Sequence, residues 1–132
     1  MLTDNSLALK NTIFSLAIGW TILIAFLCLV KFTDLPSFGV SVVDKYVHFT
    51  FHFVFTMFWG IYYWLKYNEI KISKNVLVLL ASLCYGILIE ILQETFTETR
   101  HADVYDVMAN LLGALVAFGL FVIIKKQKTV NN

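Results

Sequence analysis

The sequence predicts an all-α membrane protein, a four-transmembrane-helix bundle with both termini cytoplasmic. Three observations carry that prediction. The 132-residue chain is 59% hydrophobic and 14% charged, whereas a soluble domain carries about 25% charged residues. The charges are segregated, leaving residues 11–30, 46–65, 75–89 and 107–124 without Asp, Glu, Lys or Arg. With alternating helices, seven of the ten Lys and Arg residues fall on the side that holds both termini, and short basic loops stay in the cytoplasm.

The elements follow in order as helices at about 12–31, 46–65, 75–93 and 104–124, in a single transmembrane domain over residues 1–132. About 20 apolar residues at a 1.5 Å rise cross the hydrocarbon core of a bilayer. The first run has that length, with Asp4 ahead of it and no small-x-small cleavage pattern, so it predicts a retained helix rather than a signal peptide. The second opens on "DKYVHFTFH" and is rich in aromatics. The third is the shortest, and becomes full length only if Glu90 lies within the helix near one membrane face. The fourth begins near Asp103. None of the runs alternates polar and apolar residues as the strands of a membrane barrel do.

Charge places the chemistry. Lys10, Lys66, Lys71, Lys74, Lys125, Lys126 and Lys128 fall on the cytoplasmic side, and Lys31, Lys45 and Arg100 on the other. The acids distribute oppositely: only Asp4 and Glu69 are cytoplasmic, while Asp34, Asp44, Glu94, Glu98, Asp103 and Asp106 are outer and Glu90 lies just inside that face. A net charge of +1 gives no basic balance for nucleic acid. Polar constellations at the outer face disfavour nucleotide chemistry fed from the cytosol. Cys28 and Cys84 both fall in apolar runs at different depths, which predicts buried packing thiols and no disulfide.

Four constellations stand out. Asp44, His48 and His52 are spaced i, i+4, i+8 along one helix face, where a carboxylate one turn from an imidazole orients it and raises its basicity. The plainer reading is an interfacial histidine on an aromatic helix. Glu90, Gln93 and Glu94 share a face of the third helix. A carboxylate within a membrane helix costs roughly 2.5–3.5 kcal/mol at the centre, so Glu90 calls for a partner or a route to water. Asp103, Asp106, Asn110, Gly113 and Ala117 form one stripe of the fourth helix, acidic or amide above and small below. Small residues admit a close neighbour and an amide can bond across it, while Asp103 also reads as a helix N-cap. Arg100, the only arginine, can clamp carboxylates or take an anionic ligand.

No hydroxyl nucleophile sits in a diagnostic motif, and there is no glycine-rich phosphate loop or zinc-type Cys/His spacing. His48, His52 and Glu90 would make a metal set only if the second and third helices brought them together. The expectation is therefore no metal and no cofactor, with His48 and Glu90 as the only candidates for catalysis.

The segments "DKYVH", "EILQETFTETR" and "DVMANLLG", with Leu35–Pro36 ahead of them, resemble the VanZ-like family in order, spacing and placement at helix ends. These are small, multi-helix bacterial membrane proteins named after a teicoplanin-resistance protein. The resemblance covers residues 35–119 and implies a polar signature of Asp44, Lys45, His48, Glu90, Gln93, Arg100, Asp106, Asn110 and Gly113. His52 and Asp103 depart from the family pattern. For some members the resemblance implies lowered susceptibility to a glycopeptide antibiotic.

Three functions compete. The leading one is an outward-facing polar pocket in the bacterial cytoplasmic membrane that binds or shields a lipid-linked cell-envelope molecule. Its partners would be membrane lipids, a wall precursor or a glycopeptide, and no nucleic acid. The second is an intramembrane hydrolase or transferase on a lipid headgroup, with His48 as general acid or base and Glu90 as its partner. The third is a purely structural polar network.

Overall fold

A computed structural model describes residues 4–30, 40–96 and 102–130. They form four helices, α1 (Asp4–Leu29), α2 (Val40–Tyr67), α3 (Ile72–Phe96) and α4 (Val104–Val130), with no strand among the described residues. By length and composition α1, α3 and α4 can each cross a membrane. The 28-residue α2 is diluted by Asp44, Lys45, two histidines and several tyrosines, and does not reach the apolar composition of those three.

Local chemistry sets the helix ends. Asn68, with φ 54°, follows Tyr67 and closes α2 in the left-handed conformation, which asparagine tolerates better than most residues. The side chain of Asn75 donates to the carbonyl of Lys71 at 3.1 Å at the start of α3. Asp103 caps α4 as its sequence position suggests: Oδ1 accepts from the Tyr105 amide at 2.8 Å.

The four helices do not pack as equals. α2 meets α4 most extensively, and α1 lies against α2 and α3 out of reach of α4. The start of α2 lies beside the start of α4, at Lys45 and Asp103, and Gly60 lies beside Phe121 further along, so the two helices run in the same direction. α3 runs against both. Gly113 allows the close approach: a Cβ there would overlap the Phe49 carbonyl oxygen and lie 3.1 Å from the Phe53 nitrogen. Ala114 and Ala117, also on the inward side of α4, are fully buried. Such small-residue contacts substitute for the hydrophobic effect between helices in lipid.

Hydrogen bonds fasten α1. Trp20 Nε1 donates to the Phe51 carbonyl at 2.9 Å, Trp59 Nε1 to Thr21 Oγ1 at 3.3 Å, and Tyr85 Oη to the Thr21 carbonyl at 2.5 Å. These span a core of Ile24, Cys28, Phe55, Val78 and Ile89. The outer surface is apolar: Ile22, Phe26, Leu80, Leu112 and Ile123 are all more than half exposed, as lipid-facing side chains are and a soluble surface rarely is. Cys84 belongs to this exposed surface and Cys28 to the core. The expectation of two buried thiols therefore fails for Cys84, which sits on the outer side of α3.

Candidate functional site

One end of the bundle gathers four buried polar side chains from α2, α3 and α4. His48 is 3% exposed, Glu90 3%, Asp106 6% and Asn110 1%. Groups this deep lose their water, and each unmade hydrogen bond then costs on the order of 1–3 kcal/mol. Helical spacing places them: Asp44 and His48 share a face one turn apart on α2, as do Asp106 and Asn110 on α4. The stripe expected on α4 is the buried face, for Asp106, Asn110, Gly113 and Ala117 all point inward.

His48 is the centre. Its Nδ1 lies 3.1 Å from Asn110 Oδ1, and since that oxygen can only accept, Nδ1 carries the proton and donates. Glu90 Oε1 approaches the same nitrogen at 3.8 Å. On the opposite side of the ring, Nε2 faces Asp44 Oδ1 at 3.9 Å, beyond hydrogen-bond reach. Glu90 Oε2 accepts from the Asp103 backbone amide at 3.1 Å, tying α3 to the start of α4. Two buried atoms of the cluster have no hydrogen bond, Glu90 Oε1 and Asn110 Nδ2.

Lys45 closes the top. Its ammonium donates to Asp103 Oδ2 at 3.1 Å and to Asp106 Oδ1 at 3.3 Å, and it lies 5.8 Å from the Tyr105 ring centre. The Tyr105 amide and the Lys45 ammonium hold the Asp103 carboxyl below its usual value. Lys45 also lines an apolar groove of about 360 Å³ on the outer surface of the α2–α4 seam, with Val42, Tyr46, Phe49, Ala109 and Leu112.

The structure thus brings together Asp44, Lys45, His48, Glu90, Asp103, Asp106 and Asn110. It places two other candidates elsewhere. Gln93 turns to α1, donating from Nε2 to the Cys28 carbonyl at 2.9 Å, in the last turn where carbonyls lack helical partners. His52 is 1% exposed and pairs through Nδ1 with Ser82 Oγ at 2.8 Å. It contacts Ser82 rather than Glu90, so no set of two histidines and Glu90 is assembled. Arg100 lies outside the described residues, as do Lys31, Asp34 and Glu98.

Ser82 and Gly86 went unnoticed in the sequence. A Cβ on Gly86 would come 2.7 Å from Asn110 Nδ2 and 3.1 Å from His52 Cε1, so the missing side chain makes room for the network. Their signal was available as a stripe of small and polar residues along α3, since Asn75, Ser82, Gly86, Glu90 and Gln93 are all buried.

Fold and site together define a helical, membrane-type protein whose buried carboxylates, Glu90 and Asp106, are collected at one end of the bundle. The chain belongs to the VanZ/LLP1 family, whose sequence description matches residues 4–125. It is also similar to a protein of the fission yeast Schizosaccharomyces pombe, named only as uncharacterized, at 28% identity over 93 residues. That match covers 70% of this chain and 55% of the yeast protein, so the chain spans about half the length of that curated relative. No solved structure matches the chain.

Proposed function

We propose that this protein is a four-span membrane protein that holds the headgroup of a lipid-linked cell-envelope molecule at the polar end of its bundle. Both termini face the cytoplasm in this reading and the site faces outward, as the distribution of lysines suggests. The observation that carries the proposal is the double membership of Lys45. It lines the apolar groove between α2 and α4 and also binds two carboxylates of the buried cluster. An acyl or prenyl chain in the groove would bring its headgroup to that cluster.

The chemistry of the cluster suits hydroxyls and amines. Asp44, Glu90, Asp103 and Asp106 are acceptors, and the unpaired Asn110 Nδ2 is a donor. Lys45 already satisfies two carboxylates, so it is a poorer receptor for an anionic group than its charge alone suggests. Held in this way, a wall precursor would be less open to glycopeptides, which is how a member of this family would lower susceptibility to teicoplanin-type antibiotics.

The test is retention of lipid by detergent-purified protein, read by native mass spectrometry after exposure to mixed vesicles of phosphatidylglycerol, phosphatidylethanolamine and a prenyl-linked sugar. Wild type is expected to keep the prenyl-linked sugar, and Leu112→Trp, which fills the groove, to lose it while still eluting as a folded protein. Equal retention by the two proteins would refute the proposal. In cells, expression of wild type but not Leu112→Trp should raise the teicoplanin concentration needed to stop growth.

A further inference from the structure

The hydrogen bonds of the cluster leave one contact unexplained. With Nδ1 of His48 donating to Asn110, its Nε2 is the ring atom that faces the carboxylate of Asp44, at 3.9 Å and beyond hydrogen-bond reach. A cation held between the two would join them, as a proton on Nε2 in an ion pair or as a metal ion shared by both. Asp106 completes a triangle: Asp44, His48 and Asp106 each offer one ligand atom, and the three atoms lie within 4.8 Å of one another. Donors sharing an ion at about 2.1 Å stand about 3–4 Å apart, so small side-chain rotations close the set.

Two further observations point to a cation. Glu90, 3% exposed, turns an oxygen without a hydrogen bond toward the far side of the His48 ring. Histidines that bind metal usually hold their other ring nitrogen in a hydrogen bond to a carbonyl or carboxylate, which fixes the tautomer and raises basicity. Asn110 Oδ1 fills that place, with Glu90 behind it. Charge points the same way. Among the described residues the cluster sets four carboxylates, Asp44, Glu90, Asp103 and Asp106, against the one ammonium of Lys45.

We propose that Asp44, His48 and Asp106 bind a divalent transition-metal ion at the polar end of the bundle, with Asn110 and Glu90 orienting the histidine. One imidazole and two carboxylates, with no thiolate, suit Zn²⁺, Mn²⁺ or Co²⁺ rather than Cu⁺. Three protein ligands leave room for water or for an oxygen of a bound molecule. The Asp44 side chain is 28% exposed, which gives the ion a way in. Metal binding does not depend on the lipid-holding reading. Lipid retention after treatment with EDTA separates the failure of one from the failure of the other.

The experiment uses untagged, detergent-purified protein stripped with EDTA and titrated with Co²⁺ alone. One equivalent is expected to give the visible bands of a four- or five-coordinate nitrogen and oxygen site, and Zn²⁺ should displace it. Asp44→Asn and Asp106→Asn should each weaken binding at least tenfold, and Glu90→Gln by roughly tenfold through the orienting histidine. Glu94→Gln, on the exposed part of α3, should bind as wild type does. Absence of stoichiometric binding, or unchanged binding in both Asp variants, overturns the proposal. Should those variants fail to fold, Cu²⁺-loaded wild type decides: its electron paramagnetic resonance spectrum must show splitting from one imidazole nitrogen.

Discussion

Replacing Gly113 with alanine adds a single methyl group at the place where α2 and α4 come closest. The added Cβ would overlap the Phe49 carbonyl oxygen and lie 2.9 Å from its carbon and 3.1 Å from the Phe53 nitrogen. All three obstacles are backbone, so no rotamer change relieves them and the helices must part by on the order of 1 Å to restore van der Waals contact. Overpacking of this kind costs about 1–3 kcal/mol, and an unyielding backbone belongs at the upper end. Alanine recovers about 1 kcal/mol through its better helix propensity, leaving a net loss of about 2 kcal/mol. For a chain of this size that is roughly 5–10 °C in melting temperature. Phe49 adjoins His48, so parting the helices also stretches the 3.1 Å bond to Asn110. The assay is thermal melting in detergent followed by size-exclusion chromatography. Gly119→Ala is the control, because a Cβ there meets nothing within 4 Å. It should melt at or above the wild-type temperature. If Gly113→Ala melts within about 2 °C of Gly119→Ala, the seam is not held by close backbone contact and the reasoning fails.

Two other expectations concern the cap and the thiols. Asp103→Ala removes both the N-cap of α4 and one partner of Lys45, and should lower stability by about 1 kcal/mol at neutral pH. The Asp103 carboxyl is held below its ordinary value of 3.8, so its contribution is complete above that value and fades as pH falls through the folded one. Melting curves of wild type and variant should converge in acid, and a gap independent of pH would contradict this account. Cys28→Leu should lower stability by about 1–3 kcal/mol through overpacking of the core, and Cys84→Leu should be neutral, because one thiol is buried and the other faces outward. Equal melting temperatures of the two variants would contradict the placement of α3.

The sequence made some of this legible and hid the rest for definite reasons. The inward face of α4 could be read directly, because Asp106, Asn110, Gly113 and Ala117 repeat with the helical period. Asp44 and His48 were legible as neighbours on one helix for the same reason. The partners across helices were not legible. Gln93 bonds a backbone carbonyl, that of Cys28, which no side-chain pattern announces. Thr21, Trp59 and Tyr85 look like lipid-soluble residues by composition, yet their polar atoms bind α1 to its neighbours. Cys84 was misplaced because hydropathy tells an apolar residue from a polar one, but not the lipid-facing side of a helix from its buried side.

The parallel course of α2 and α4 has a consequence for assembly. His48 and Asn110 stand 62 positions apart in the chain, with the whole of α3 between them. As the protein leaves the ribosome, the first three helices are made while Asp44, Lys45 and His48 still lack their partners on α4. That interval leaves a charged, unsatisfied helix start at the membrane surface, and the arrival of α4 ends it. The same side chains thus report whether the last helix has been inserted, and a chain truncated after α3 should be an early substrate for membrane quality-control proteolysis.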